Sequence, residues 1–412
     1  MSSPTLLRPR HGILPAASPP TNGRLIRRRV YVTWGLLYFN TLTFFPGVAF
    51  IHIPSSIGKG IAQATLPVAL LLALSLNRKV LLRPNIFLCL VSLIALDAIL
   101  TTLQPQHVGT IFRTVRLIMF VVCLWLLTPW WGRRDLLLLR AHLTALGAVL
   151  GSVVVGLLVS PGHALAQHRL SGALWPMQPT QVAHYAAVMI GLVVVLWFCG
   201  NVRGRTAAFV TVVAGAILVL THTRTALAAL IVGVLVAGMS LIAAKPRVRK
   251  LFAALGAITG VASLTLSAYI TTWLERGQSS EGLANLTGRT EVWGPLLAAP
   301  RDKFQELFGF GLSNVSFDGF PIDSNWLASY QEEGLFGVVV CAMILVFMLV
   351  TSYFQPRGLQ RAVALFLVAY ALVASFTEDS FTDVSPYLLD LAVAASLLVP
   401  IADRGSEGSS LA

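Results

Sequence analysis

The amino-acid sequence predicts an all-α polytopic membrane protein of about 12 transmembrane helices, with one large extracytoplasmic loop that contains short helices. Of its 412 residues, 56% are hydrophobic and 11% are charged, whereas soluble domains usually carry about 25% charged residues. The apolar residues fall in runs of about 18 or more, which is long enough to cross the hydrocarbon core as helix. These runs do not alternate with a period of two, so they are not the strands of a membrane β-barrel.

Twelve apolar stretches are the candidate membrane spans. They cover roughly 30–51, 57–76, 84–103, 110–128, 136–159, 180–199, 205–221, 225–243, 251–273, 334–354, 359–377 and 384–402. The seventh and eighth are separated only by His222-Thr223-Arg224, which fits either one broken helix or a tight hairpin. The chain thus divides into a disordered basic tail (1–29), helices one to nine (30–273), a polar loop (274–333), helices ten to twelve (334–402) and a short tail (403–412).

Basic residues indicate the orientation of these spans. They precede the first span and then follow every second one, in clusters such as Arg27-Arg28-Arg29, Arg133-Arg134 and Lys245 to Lys250. Because positive charge marks cytoplasmic connections, both termini are predicted to be cytoplasmic and the loop over 274–333 to lie outside. The net charge of +13 therefore arises from residues that set the topology. The basic residues lie in short clusters between the apolar runs, which argues against nucleic-acid binding.

Four arginines are predicted at the outer face, where the positive-inside rule disfavours them. Arg113 and Arg224 lie near the ends of spans, Arg169 lies in the connection over 160–179, and Arg289 lies in the polar loop. The planar guanidinium suits the oxygens of a diphosphate, so the four together predict a site for an anionic lipid headgroup. Arg224 also fits a simpler interpretation, a side chain that snorkels and caps a helix end.

The polar loop holds 9 of the 17 acidic residues, and one of them is a candidate base. Asp323 precedes the tenth span, where it would either accept a proton from a sugar hydroxyl or cap a helix. Asp97 and Arg116 lie at similar predicted depth, so we expect them to pair and to leave Arg113 open to a ligand. Further candidate contacts, for a sugar-bearing donor or acceptor substrate, are His184, His222, Asn325 and Glu332. No metal-ligand spacing such as HExxH occurs, so neither a metal nor a cofactor is predicted.

Three motifs in order along the chain resemble those of a known family. Thr223-Arg224-Thr225-Ala226-Leu227 resembles the motif [S/T]-R-[T/S]-x-L, and Gly288-Arg289-Thr290-Glu291-Val292-Trp293 resembles a G-R-x-x-x-W motif that opens a large periplasmic loop. Gly309-Phe310-Gly311, Asp323-Ser324-Asn325-Trp326-Leu327 and Glu332-Glu333-Gly334-Leu335-Phe336-Gly337 resemble the pattern G-x-G … H-[N/S]-x-x-L … E-x-G-x-x-G. The chain therefore resembles the O-antigen ligase and O-antigen polymerase superfamily of bacterial membrane glycosyltransferases.

The resemblance implies an inverting, metal-independent glycosyl transfer at the outer face of the bacterial plasma membrane. The donor would be a glycan on undecaprenyl diphosphate, with Arg224 and Arg289 holding the diphosphate while a hydroxyl of a saccharide or lipid-glycan acceptor attacks. Ligases of the family carry a histidine where this chain has Asp323. That difference favours a polymerase, or a ligase for another acceptor.

A transporter or flippase of lipid-linked oligosaccharide is the alternative function. Twelve spans are common among transporters, and arginines would escort an anionic lipid. Such proteins often contain two related halves, however, and the sequence shows no convincing internal repeat. The enzyme is therefore the favoured hypothesis, with the lipid bilayer as its second partner.

Overall fold

The computed structural model describes residues 21–50, 53–103, 108–166, 168–250, 289–312, 316–378 and 381–400, and it shows a helical membrane protein. Its helices are α1 Thr21–Asn40, α2 Ser55–Leu76, α3 Ile86–Thr101, α4 Val108–Leu127, α5 Leu137–Val159, α6 Pro161–Ala164, α7 Pro179–Phe198, α8 Gly204–Leu220, α9 Arg224–Leu241, α10 Arg289–Ala298, α11 Lys303–Phe308, α12 Asn325–Phe354, α13 Leu359–Ala374 and α14 Pro386–Leu398. A short antiparallel ribbon, β1 Ser316–Phe317 and β2 Phe320–Pro321, lies between α11 and α12.

Six of the described helices are long and apolar enough to cross a membrane. They are α2, α4 with its 3₁₀ extension to Trp130, α5, α7, α9 and α12. Four shorter apolar helices, α3, α8, α13 and α14, pack among them. The predicted ninth span, 251–273, and the first part of the polar loop lie outside the described residues.

The first helix differs from its predicted bounds. We expected a span over 30–51, but α1 covers Thr21–Asn40 and the chain then leaves the helix. Its polar start carries four arginines, Arg24, Arg27, Arg28 and Arg29, which extends the helix into the segment predicted as a disordered tail. Beyond Asn40, the residues up to Phe50 form an irregular connection in which Pro46 begins a 3₁₀ turn. Proline lacks the N–H that would continue the helix.

The seventh and eighth predicted spans are separate helices that diverge. α8 and α9 meet at a turn in which His222 adopts a positive φ of 51°. α8 packs on α7, whereas α9 packs on both α7 and α13. Gly191 of α7 and Gly233 of α9 face the ring of Phe366 on α13, where a Cβ would clash. The small residues thus let these three helices approach closely, as is usual in membrane bundles.

The bundle has two chemically different ends. The first, here called the polar end, comprises the connections that follow α1, α3, α5, α8 and α13. It is tied together by hydrogen bonds such as Phe50 N to Ala173 O (3.0 Å) and Asn325 N to Ser375 O (3.0 Å). The opposite, basic end comprises the connections that follow α2, α4, α7 and α12, where Arg27 forms a 2.9 Å ion pair with Asp135.

Helix α12 contains a break at Gly334 that positions two carboxylates. Gly334 has φ 65° and ψ −160°, so the helix is interrupted between Glu333 and Leu335. The carbonyl oxygens of Gln331 and Glu332 accept hydrogen bonds from the backbone N–H groups of Phe310 (3.0 Å) and Gly311 (2.8 Å). These contacts satisfy the acceptors that the break releases. They also fix the side chains of Glu332 and Glu333, both 0% exposed, against the bundle.

Candidate functional site

The polar end holds a cavity of about 1120 Å³ between α1, α2, α4, α7 and the connection from α13 to α14. Its wall carries the cations Lys59, Arg113 and Arg116, the carboxylates Glu378 and Asp383, neutral groups such as Thr41, Gln63 and Gln181, and the imidazole of His184. A pocket of this size, with convergent polar groups, is the default place to look for a ligand site.

A smaller apolar groove lies beside this cavity, between α2 and α4. It encloses about 200 Å³ and is lined by Gln63, Ala64, Leu66, Pro67, Phe112, Arg116 and Met119. Gln63, Phe112 and Arg116 line the cavity as well, so the groove and the cavity are adjacent. Pro67 lies inside α2, where it removes one backbone donor from the helix. The arrangement suits an amphiphile with a polar head in the cavity and an apolar tail in the groove.

Arg113 is held by two carboxylates at the cavity wall. Its Nη1 lies 3.2 Å from Glu332 Oε1, and its Nε and Nη2 donate to Asp383 Oδ2 at 3.0 and 2.7 Å. The expectation that Arg113 stays open to a ligand is therefore wrong. Glu332, a candidate contact for donor or acceptor, is instead joined to α4 through this arginine.

Asp383 is the shared carboxylate of this cluster. Burial opposes its ionisation, but the nearby Arg113 and Arg116 guanidinium groups together with hydrogen bonds hold the pKa of Asp383 below its ordinary value. Its side chain keeps 14% exposure and faces the cavity. Asp383 therefore remains an anion that holds the two arginines in position.

Arg116 has partners other than the one we expected. Its Nε donates to Asn40 Oδ1 at 3.2 Å and its Nη2 to Asn40 O at 3.1 Å, while Nη1 lies 3.7 Å from Asp383 Oδ2. The predicted pair of Asp97 with Arg116 is not formed. Both Asp97 oxygens are buried and make no hydrogen bond with a described residue. Similar depth in two neighbouring helices did not bring the groups together because Arg116 faces α1.

Arg169 and Arg224 lie together at the turn between α8 and α9. Arg169 donates from Nε to Thr221 O (2.9 Å) and from Nη2 to Thr223 Oγ1 (3.1 Å). Arg224 begins α9, and its Nε and Nη2 are buried without a hydrogen bond to any described residue. Burial lowers the pKa of Arg169, and the Glu378 carboxylate opposes that shift. Glu378 lines the cavity, whereas Arg169 and Arg224 are not among the described residues that line it.

The motif residues of the polar loop are placed around the start of α12. Arg289 begins α10, a short helix in the segment predicted as the polar loop, but its side chain lies outside the described residues. Asp323 is half-buried beside Ser324, and Ser324 rather than Asp323 occupies the N-cap position of α12. Asn325 is fully buried and accepts from Phe381 N at 2.8 Å. Asn325 therefore docks α12 on the connection that carries Asp383.

His184 belongs to a buried cluster that spans the bundle, whereas His222 lies in the half-buried turn described above. His184 Nε2 lies 3.3 Å from Asp390 Oδ2, and His142 Nε2 lies 3.0 Å from Asp390 Oδ1. The rings of Tyr185, Tyr370 and Tyr387 surround His184, the nearest with its centroid at 4.1 Å. Sequence reasoning identified His184 alone.

Asp390 and His142 are the polar residues that sequence reasoning missed. A signal was present, since Asp390 is a single charge within an apolar run, and an ionisable residue inside a membrane span is a functional candidate by default. Lys59 and Asp383 were also not assigned to the site. Their place on the cavity wall depends on how α2 and α14 pack, which no local pattern reveals.

Comparison with known proteins assigns no relationship. No protein-family model matches the chain, and no curated protein matches it.

Proposed function

We propose that this protein is a membrane glycosyltransferase of the O-antigen ligase or polymerase type. It uses a glycan carried on a polyprenyl diphosphate at the outer face of the plasma membrane, and it extends or attaches a cell-surface polysaccharide. The chain crosses the membrane twelve times with both termini in the cytoplasm, so the polar end faces outward. The three motifs in order along the chain support the family assignment.

The observation that carries the proposal is the apolar groove beside the polar cavity, with Gln63, Phe112 and Arg116 lining both. A polyprenyl diphosphate has an apolar tail that fits between α2 and α4, and an anionic head that would meet Arg116 and Lys59. Guanidinium groups bind phosphate oxygens with two parallel hydrogen bonds. The cavity volume of about 1120 Å³ leaves room for saccharide beside the diphosphate.

Arg224 and Arg289 keep the role that the resemblance implies, which is to hold the diphosphate and stabilise it as it leaves. Two nitrogens of Arg224 have no described hydrogen-bond partner, and a bound diphosphate would supply acceptors for them. Positive charge aimed at a leaving group lowers the barrier most when it is fixed in advance. Asp323 remains a candidate base for the acceptor hydroxyl in this proposal.

Transfer in detergent tests the proposal against the alternative of a flippase. Purified protein is given a synthetic polyprenyl-diphosphate glycan and a panel of saccharide acceptors, and the products are separated by mass. Transfer without a sealed membrane is expected for the enzyme. Scrambling of the lipid in liposomes, combined with no transfer to any acceptor, would instead identify a flippase.

Arginine variants separate binding of the diphosphate from general damage. R116A and R224A are each expected to lower transfer by about 100-fold or more, because each removes a charged contact to the diphosphate. The control is K303A, which changes an exposed cation on α11 and should leave transfer unchanged. Wild-type rates in both arginine variants would remove the proposed diphosphate site.

A further inference from the structure

Asp97 on α3 and Glu333 on α12, here called the buried pair, are carboxylates that no described side chain compensates. Asp97 is 1% exposed and Glu333 is 0% exposed. None of their four oxygens forms a hydrogen bond with a described residue, and neither carboxylate joins an ion pair there. Taking a carboxylate out of water without a partner is costly, so the buried pair requires a positive charge from outside the described side chains.

The two carboxylates belong to one region between α3 and α12. These helices pack on each other, and the charges of Asp97 and Glu333 are close enough to repel. Thr101 follows Asp97 by one helical turn, and its Oγ1 lies 3.2 Å from the place that a Cβ on Gly311 would take. The Gly311 N–H in turn donates to Glu332 O at 2.8 Å. The pair is thus fixed by the same contacts that hold the break in α12.

Gly337 leaves room for the carboxylate of Glu333 inside the bundle. A Cβ at position 337 would lie 2.6 Å from Glu333 Oε2, which is closer than two such atoms can approach. The side chain of Glu333 therefore lies over the next turn of its own helix. The small residue allows α12 to carry a carboxylate at a place where α3 packs against it.

The ion pairs beside this region are already balanced. The two guanidinium groups of Arg113 and Arg116 engage the two carboxylates of Glu332 and Asp383. The buried pair adds two further carboxylates to the same part of the bundle. An additional positive charge would therefore compensate a local excess of negative charge.

The break in α12 also favours a cation at the buried pair. It ends the first segment of the helix at Glu333, so the negative end of that segment's dipole lies beside the carboxylate. Interrupted helices of membrane transporters coordinate Na⁺ with backbone carbonyls and helix C-terminal ends in this way. Protonation of the pair would instead create O–H donors, and the four oxygens have no hydrogen-bond partner among the described residues.

The number of available ligands distinguishes between classes of cation. Calcium takes six to eight oxygen ligands. Within the described ranges, no group of three or more histidine, cysteine, aspartate or glutamate residues could hold a metal ion. Two carboxylates with a helix end fit a singly charged ion better than a divalent one.

We propose that Asp97 and Glu333 bind one alkali-metal cation between α3 and α12. With one of the two carboxylates protonated, a single positive charge leaves the pair neutral. The cation ties α3 to α12 beside the ion pairs of Arg113, so it stabilises the polar end of the bundle. This site does not depend on the reaction that the protein catalyses.

The first test is the response of thermal unfolding to salt. Full-length protein in detergent is heated in sodium chloride, potassium chloride, calcium chloride or choline chloride at equal ionic strength and pH. A ligand that binds only the folded state raises the midpoint of unfolding, so sodium or potassium should raise it by about 2 °C or more above choline. Equal midpoints in sodium, potassium and choline would overturn the proposal, whether the midpoint then rises with calcium, with acid or with neither.

The second test uses variants that keep the shape of each side chain and remove its charge. D97N and E333Q should each lose the response to sodium and potassium, and their midpoints in choline should equal or exceed that of the wild-type protein, because a buried charge has been removed. The matched controls are D318N and E306Q, which change exposed carboxylates and should keep the response. A response that persists in both D97N and E333Q would place the cation elsewhere and overturn the assignment.

Direct binding to the wild-type protein keeps the proposal testable if a variant fails to fold. Radioactive sodium and rubidium, the latter in place of potassium, are each titrated onto the purified protein in choline chloride. Saturable binding of at least one of them, at about one ion per chain, is expected. Saturable binding of neither ion would overturn the proposal and leave the proposed function untouched, since transfer is measured separately.

Discussion

Among single residues, Arg113 is the one whose loss should destabilise the polar end most. It joins α4 to Glu332 on α12 and to Asp383 before α14, and removing one partner of a buried ion pair costs about 3–5 kcal/mol. R113A should therefore lower the midpoint of thermal unfolding in detergent by several degrees. The control is R27A, which breaks an exposed pair with Asp135 worth about 1 kcal/mol or less. Equal shifts in the two variants would contradict the structural role of Arg113.

Asp383 should make the stability of the polar end depend on pH. Its pKa is lowered in the folded protein by Arg113 and Arg116, so its contribution to stability is present above the unfolded value of about 3.9. That contribution is lost as the pH falls through the lower folded pKa. We expect D383N to be less stable than the wild-type protein at neutral pH, with the difference shrinking in acid. The measurement is the midpoint of unfolding of each protein across a range of pH. The control is D318N, which changes an exposed position in the β-turn. A stability difference between D383N and the wild-type protein that stays constant with pH would refute the prediction.

Among the secondary-structure elements, the break in α12 is held by two glycines in contact. Gly309 and Gly334 both have positive φ with ψ near 180°, a region open almost only to glycine, where other residues cost about 1–3 kcal/mol. A Cβ on Gly334 would also lie 2.5 Å from the carbonyl carbon of Leu307. G334A should therefore unfold at a lower temperature and lose transfer. G294A is the control, since nothing lies within 4 Å of a Cβ there; similar behaviour of both variants would argue against a fixed break.

Element bounds were predictable where an apolar run ended in a polar turn. α5 covers Leu137–Val159 against a predicted 136–159, and α7 covers Pro179–Phe198 against 180–199. The prediction was wrong at α1, because hydropathy marks the apolar residues to Phe50 as helical although the helix ends at Asn40. There the connection over 41–50 is held by contacts to distant chain, such as Phe45 N to Pro176 O. Local pattern carries no information about such partners.

At the scale of the whole molecule, the composition of the candidate site was less predictable than the fold. The sequence marked Arg113 and Arg169 as candidates, and both lie at the polar end of the bundle. It could not show that Arg113 is neutralised by Asp383, which is 270 residues away. Nor could it show that His142 and His184 share Asp390. A charge in an apolar run marks a buried group, but its partner depends on which helix faces pack.

The orientation of the bundle is the last property that the proposal needs, because a donor that is presented outside the cell must find the cavity open to that side. Gln178, on the cavity wall, and Asn201, at the basic end, are both exposed. We expect Q178C to react with a membrane-impermeant maleimide in intact cells, and N201C to react only after permeabilisation. The unaltered protein, with its four cysteines in apolar stretches, gives the background. The reverse pattern would place the cavity in the cytoplasm, where a glycan donor displayed on the outer face could not reach Arg116.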